Sequence, residues 1–129
     1  MQEYDPVSEI YAVIKNDEPY YRLVDQFYGG VETDQLLRPL YPEDLTEPKR
    51  HLALFLIQRT GGQQTYSKER GHPRMRQRHM PFRIGTAERD AWLKNMANAL
   101  NTVPEFEKHK TVLTEFFESF ATFLINQPG

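Results

Sequence analysis

The sequence contains no cysteine and no long run of apolar residues. Without cysteine the chain cannot form a disulfide, use a thiolate in catalysis or build a cysteine-ligated zinc or iron–sulfur centre. No apolar stretch approaches the length of about 20 residues that a membrane-spanning helix requires. The acidic N-terminus also lacks the basic start and apolar centre of a signal peptide. We therefore expect a cytoplasmic protein that does not enter a membrane.

The sequence also has no large excess of charge of either sign, since it contains 16 basic and 18 acidic side chains. Bulk attraction to nucleic acid is therefore not indicated. One local stretch is nonetheless cationic, with Glu69 as its single acid and with these bases: Lys68, Arg70, Arg74, Arg76 and Arg78. Such clusters can bind phosphate, but this one has no interleaved aromatic residues, so we expect no nucleic-acid partner.

The length of 129 residues fits a single domain over residues 1–129. Apolar residues recur at every third or fourth position rather than in alternation, which predicts an all-α fold. The expected helices cover residues 5–15, 19 to about 31, 48–59 and 86–100, and a last and longest one opens at Pro104. Thr86 is the expected N-cap of the fourth helix. Residues 61–85 form the least regular part, and a loop of this length is usually functional.

His79 lies in this irregular part, between Pro73 and Pro81. Because proline is not tolerated inside a helix, any helix that carries His79 has only about two turns. A neutral histidine is the commonest metal ligand, and a single proximal histidine holds the haem iron in many proteins. Taken alone, however, His79 is more ordinarily a surface residue of a basic loop, so its spacing leaves the role open.

Tyr28, Tyr41 and Trp92 fall among residues that we expect to be buried, and each carries a polar tip. A buried hydroxyl or indole N–H normally has a hydrogen-bond partner. Two interpretations follow from the residues. Either each group bonds a nearby backbone carbonyl, or the three converge on a ligand of the iron.

A series of motifs between about residues 20 and 100 resembles the group II truncated haemoglobins, in order and in register. The motifs are Phe27-Tyr28, Arg38-Pro39-Leu40-Tyr41-Pro42-Glu43-Asp44-Leu45, Gly61-Gly62, Thr65-Tyr66-Ser67, Arg70-Gly71-His72-Pro73, Arg78-His79-Met80-Pro81-Phe82 and Glu88-Arg89-Asp90-Ala91-Trp92-Leu93. The resemblance implies a two-over-two helical sandwich that encloses haem, with a short proximal helix and an extended loop before it. One departure is that the family's Gly-Gly pair after the first helix is Lys15-Asn16 here.

The resemblance also implies the site residues. His79 would be the proximal ligand of a pentacoordinate haem b iron, and Tyr28, Tyr41 and Trp92 match distal residues that would hydrogen-bond oxygen. Arg78 and Tyr66 match positions that reach the haem propionates, where an arginine suits a carboxylate. The expected contacts with the haem ring are Leu52, Phe55, Met80, Phe82 and Met96.

The implied function is reversible binding of oxygen, with nitric oxide and carbon monoxide as further ligands. The alternative is a haem enzyme with peroxidase or nitric-oxide dioxygenase activity, and redox turnover would add a reductase as partner. A haem-free interaction domain is a third alternative, which requires His79 to point away from the core. We expect a monomer or a homodimer, with the Phe-rich stripe from Phe106 to Phe123 as the candidate dimer interface.

Overall fold

The structure, a computed structural model, describes residues 4–128, and within that range every regular element is helical, as predicted. The α-helices are α1 (Ile10–Ile14), α2 (Glu18–Glu32), α3 (Thr46–Arg59), α4 (Thr65–Arg70), α5 (Met75–His79), α6 (Thr86–Leu100) and α7 (Lys110–Phe123). Short 3-10 helices cover Val7–Glu9, Arg38–Leu40 and Pro104–His109. Residues 1–3 and 129, which the predicted domain includes, lie outside the described residues. None of the described helices is long and apolar enough to cross a membrane.

The four long helices pack as two pairs, α2 with α3 and α6 with α7, and α2 also packs against α6. The pairs meet again where Phe55 of α3 approaches Phe120 of α7, with ring centroids 5.4 Å apart. This arrangement is the expected two-over-two sandwich. The space between the two pairs holds the cavity described below.

An apolar stripe on α2 forms the centre of the core. Leu23 and Val24 lie four and three residues before Phe27, Val31 lies four residues after it, and all four are buried. Full burial of such a side chain contributes about 1.5–3 kcal/mol. Phe27 also touches the Trp92 ring of α6 at a centroid distance of 5.0 Å. The stripe therefore fixes α2 against α6 and positions the neighbouring Tyr28.

Two helix starts differ from the predictions. α3 begins at Thr46 rather than near Pro48, because proline is tolerated in the first turn of a helix. Thr86 is not the N-cap of α6 but its first residue. The cap is Gly85, which has no side chain to accept a hydrogen bond from the first turn. Its own backbone N–H donates to Glu88 Oε1 at 2.7 Å, which is the glutamate half of a capping box.

The last helix is shorter than predicted. Its opening turn, Pro104–His109, is 3-10, and α7 has 14 residues against 15 in α2 and in α6. Most of its aromatic stripe packs inside the protein. Phe106 and Phe117 are buried, and Phe116 and Phe120 pack against the core. Phe123 is 57 % exposed. The expected dimer interface on this stripe is therefore mostly covered by the chain's own core.

Residues 61–85 contain more regular structure than the sequence indicated. The short helix that carries His79, α5, lies between Pro73 and Pro81 as expected, whereas α4 was not predicted. α4 is stabilised by contacts that its own sequence does not show. Gln58 of α3 donates to Ser67 Oγ at 2.8 Å and accepts the Ser67 backbone N–H at 3.0 Å, and Tyr66 is buried.

Lys15 ends α1 in the left-handed conformation, with φ at 58°. Glycine adopts this conformation without penalty, whereas another residue loses roughly 1–2 kcal/mol. The turn compensates with hydrogen bonds from Tyr11 Oη to Asp17 Oδ1 at 2.7 Å and from the Glu18 N–H to Asn16 Oδ1 at 3.0 Å. The missing Gly-Gly pair thus leaves the turn formed but strained at one residue.

A buried hydroxyl pair joins α2 to the end of α3. Thr60 is 1 % exposed, its Oγ1 lies 2.7 Å from Tyr20 Oη, and it donates to the Leu56 carbonyl at 2.7 Å. Burial raises the pKa of Tyr20 to about 12, and the hydrogen bond with Thr60 opposes that rise. The Tyr20 hydroxyl is therefore a neutral donor that needs the Thr60 oxygen.

Replacing Thr60 with Val should lower the free energy of unfolding by about 1–3 kcal/mol, because the Tyr20 hydroxyl would be buried without a partner. Urea unfolding followed by circular dichroism measures this change. Thr60→Ser is the matched control, since it keeps the hydroxyl and loses only a methyl group. A Thr60→Val variant as stable as the wild type would contradict the contribution of this hydrogen bond.

Candidate functional site

A cavity of about 330 Å³ opens between the helix pairs and is lined by side chains from α2 through α7. Its walls are mostly apolar, as in sites that hold small molecules and cofactors. The main apolar contributors are Leu52, Phe55, Phe82, Ile84, Phe120 and Leu124. Such walls favour an apolar occupant over a polar one.

His79 lies in the wall of this cavity and is half-buried. Its Nδ1 is 2.6 Å from the backbone carbonyl of Met75, one turn earlier in α5. Because a carbonyl only accepts hydrogen bonds, Nδ1 carries the proton of the neutral ring and Nε2 carries the lone pair. This is the tautomer in which a histidine binds a metal through Nε2, with its other nitrogen held by an outer partner.

The structure brings Tyr28, Tyr41 and Trp92 into the wall of the same cavity. The Tyr28 and Tyr41 rings meet edge to face at a centroid distance of 5.3 Å and an interplanar angle of 85°. Phe27 contacts both Tyr28 and Trp92, each at 5.0 Å between centroids. Tyr28 of α2 and Trp92 of α6 thus lie in the same cavity wall as Tyr41, which follows the 3-10 helix Arg38–Leu40.

Burial raises the pKa of both Tyr28 and Tyr41, so both phenols stay protonated at neutral pH. The nearby Tyr41 hydroxyl raises the pKa of Tyr28 further, whereas Tyr28 and Trp92 oppose the rise at Tyr41. Each protonated phenol carries one O–H donor and Trp92 carries one N–H donor, so this wall of the cavity holds three donors.

Two arginines of the predicted cationic stretch line the cavity. The Arg70 and Arg78 guanidinium groups lie 5.7 and 6.0 Å from the centroid of the Tyr66 ring. Arg78 also donates from Nε to the Pro73 carbonyl at 2.7 Å and from Nη2 to the Arg70 carbonyl at 2.8 Å. Arg78 therefore holds the segment before α5. Its expected contact with a propionate, and that of Tyr66, stays a prediction.

Leu52, Phe55 and Phe82 line the cavity as expected, but Met80 and Met96 do not. Met80 follows the end of α5, and its side chain is 54 % exposed. Met96 is fully buried and lines a separate groove between α6 and α7. The structure therefore does not place these two side chains where a ring contact was expected.

Sequence reasoning missed several residues of the cavity wall. Phe120 and Leu124 belong to one face of the last helix and its end, and their spacing of four residues signalled burial but not this cavity. Met75 acts through its carbonyl, so its side-chain type carried no signal for that role. Once α5 is known to be a helix, however, Met75 can be identified, because its carbonyl lies four residues before His79, one turn along the helix.

His51 lies at the edge of the cavity between two charged groups. Its Nε2 is 3.2 Å from Glu47 Oε2, and its Nδ1 is 3.1 Å from Nη1 of Arg70. Since the arginine can only donate, Nδ1 accepts and the ring is neutral. Burial lowers the pKa of His51 below 6.5, and the nearby Arg70 charge lowers it further.

Replacing Arg70 with Gln should therefore raise the pKa of His51, because burial, the Arg70 charge and the Arg50 charge all disfavour the imidazolium, and only the Arg70 charge is removed. The pKa can be followed by NMR titration of the His51 ring protons. Arg74→Gln is the control, since Arg74 belongs to the same cationic stretch and does not contact His51. An unchanged His51 pKa in Arg70→Gln would contradict the contact between Arg70 and His51.

The chain is similar to known globins. A family model described as bacterial-like globin matches residues 9–126. The group 2 truncated haemoglobin YjbI of Bacillus subtilis is 41 % identical over 106 residues, which are 82 % of this chain and 80 % of YjbI.

Solved structures agree with the sequence matches. The haemoglobin of the thermophilic phototrophic bacterium Chloroflexus aurantiacus is 46 % identical and superimposes with a TM-score of 0.88, covering 92 % of this chain and 98 % of that chain. The truncated oxygen-avid haemoglobin of Bacillus subtilis is 38 % identical with a TM-score of 0.86, covering 92 % and 99 %. These matches extend across both helix pairs and the cavity between them.

Proposed function

The chain belongs to the bacterial-like globins and is a group II truncated haemoglobin. We propose that it holds one haem b through His79 and binds oxygen reversibly. As a globin it binds haem and diatomic gases. The observation that carries the proposal is the 2.6 Å contact between His79 Nδ1 and the Met75 carbonyl. That contact leaves Nε2, in the wall of an apolar cavity, as the nitrogen for the iron.

The other cavity residues fit haem. Leu52, Phe55 and Phe82 provide apolar surface for the ring and exclude water from it. Arg70 and Arg78, at the cavity wall, provide cations for the two propionates. When bound, haem would supply the iron that takes up a gas, which is oxygen in our proposal and also nitric oxide or carbon monoxide.

We assign the polar side of the cavity to Tyr28, Tyr41 and Trp92, which all lie in its wall. Both phenols stay protonated, so each offers an O–H donor to a ligand in the cavity. Donors that reach a gas held by haem would slow its release. The Bacillus subtilis relative, which is described as oxygen-avid, supports oxygen as the gas.

The same phenols disfavour the peroxidase alternative. Heterolysis of peroxide is assisted by a group that first accepts a proton from it. Tyr28 and Tyr41 have raised pKa values and stay protonated, so they donate hydrogen bonds but do not serve as that base. The partner of His79 is a neutral carbonyl rather than a carboxylate, so the imidazole has little anionic character. Gas binding is therefore the function that these residues support best.

His79→Gly should abolish the ferrous five-coordinate spectrum that haem gives with a histidine ligand, because the variant has no nitrogen at that position. The measurement is the Soret and visible spectrum after haemin is added, before and after reduction, and free imidazole should restore the wild-type bands. His72→Gln is the control and should leave the spectrum unchanged, since His72 is exposed. A wild-type protein that ignores added haemin would overturn the assignment.

Tyr41→Phe should speed oxygen dissociation by about tenfold, as expected for the loss of one hydrogen bond of roughly 1.4 kcal/mol. Trp92→Phe should act in the same direction, because it removes the indole N–H, another donor in the cavity wall. Stopped-flow measurement of oxygen release gives both rates. Tyr21→Phe, at a position 40 % exposed, is the matched control. An unaltered rate in both cavity variants would remove these residues from the ligand network.

A further inference from the structure

The helix that carries His79 cannot hold its own position. α5 has five residues, none of them fully buried, and short isolated helices are unstable in water. Proline at positions 73 and 81 prevents the helix from extending in either direction. The orientation of the His79 ring must therefore depend on contacts made with α5 from elsewhere in the chain.

The chain that follows α7 supplies such contacts. Arg76 of α5 donates from Nε to the Phe123 carbonyl at 3.2 Å and from Nη2 to the Ile125 carbonyl at 3.4 Å. Residues 123–126, which we name the C-terminal clasp, thereby lie alongside α5. These bonds fix the exposed side of the short helix.

Asn126 completes the clasp on the other side of His79. Its Nδ2 donates to the His79 carbonyl at 3.2 Å and to the Phe82 carbonyl at 2.7 Å. Its Oδ1 accepts the Ile84 N–H at 3.0 Å, and its backbone N–H donates to the Ile84 carbonyl at 2.8 Å. One half-buried side chain therefore ties the end of α5 to the whole segment that leads from it toward α6.

The chemistry of these bonds requires an amide. The Asn126 side chain meets two carbonyls, which only accept, and two N–H donors, the Ile84 backbone N–H and Gln127 Nε2 at 3.3 Å. Aspartate offers acceptors alone, so it would keep the bond with Ile84 and place a carboxylate oxygen against the carbonyls of His79 and Phe82. Alanine offers neither. The two substitutions thus separate the donor half of the clasp from the acceptor half.

We infer that Asn126 is a positioning residue for His79, which holds the end of α5 so that the imidazole keeps its bond to Met75 and presents Nε2 to the cavity. Asn126 touches the His79 carbonyl and acts on the ring only through the backbone of α5. The inference rests on the proposed function where it concerns iron. The geometry of the His79 ring in the haem-free protein tests it separately.

The first experiment uses NMR on the full chain without haem. In the wild type, the His79 ring nitrogen signals should report one tautomer, with the proton on Nδ1. Asn126→Ala and Asn126→Asp should both mix the two tautomers, because the donor half is lost in each. Asn98→Ala is the matched control, since Asn98 is exposed on α6 and the same side chain is removed. Unchanged His79 signals in both Asn126 variants would overturn the inference.

Amide hydrogen exchange on the same samples checks the acceptor half. The Ile84 amide should exchange about tenfold faster in Asn126→Ala, which removes its acceptor, and less so in Asn126→Asp, which keeps one. Faster exchange at Ile84 together with an unchanged His79 tautomer would show a clasp that is structural only, and would also overturn the inference.

The second experiment uses haem-loaded protein. The iron–histidine stretching band of the ferrous form should shift or broaden in both Asn126 variants and stay unchanged in Asn98→Ala. An identical band in all four proteins would overturn the inference while leaving haem binding intact. Failure of the wild type to take up haem would instead overturn the proposed function, and the ring tautomer would still decide whether Asn126 positions His79.

Discussion

The site depends on one hydrogen bond, from His79 Nδ1 to the Met75 carbonyl. The bond joins residues one turn apart, so it exists only while α5 is helical. It decides which ring nitrogen carries the proton and therefore which one can donate a lone pair into the cavity. In the proposed function, the backbone conformation of five residues thus determines which nitrogen of His79 would bind the iron.

The two sides of the cavity are held in different ways. Tyr28 and Trp92 stand on long helices and are fixed by apolar packing, with Phe27 between them. The His79 side is built from short pieces whose contacts are polar and end on backbone carbonyls, as the bonds of Arg78 show. Segments with few buried apolar side chains open at low free-energy cost. Local opening is therefore expected first on the His79 side, while the aromatic side keeps its shape.

Much of this arrangement could be predicted from the sequence, and the parts that could be predicted share a physical basis. The stripe of α2 and the short helix around His79 follow from local periodicity and from the positions of proline. The ordered motifs predicted that Tyr28, Tyr41 and Trp92 lie near one another, and the wall of the cavity contains all three.

What could not be predicted depends on contacts between distant parts of the chain. α4 is stabilised by the hydrogen bonds between Gln58 and Ser67, and a helix of six residues is too short for its apolar periodicity to predict it. Met96 has the right spacing from Trp92 for the cavity, yet packing between α6 and α7 takes it elsewhere. Asn126 bonds residues more than 40 positions earlier, and a single asparagine near a helix end gives no sign of that.

The raised pKa values of Tyr28 and Tyr41 also bear on proton balance. A group that is protonated both before and after a ligand binds neither takes up nor releases a proton, so it adds no pH dependence to the binding equilibrium. In the proposed function, the two phenols of the aromatic side therefore add no pH dependence to gas binding between mildly acidic and mildly basic surroundings. Acid sensitivity would originate in other titratable groups of the cavity, and His51 at its edge is one of them.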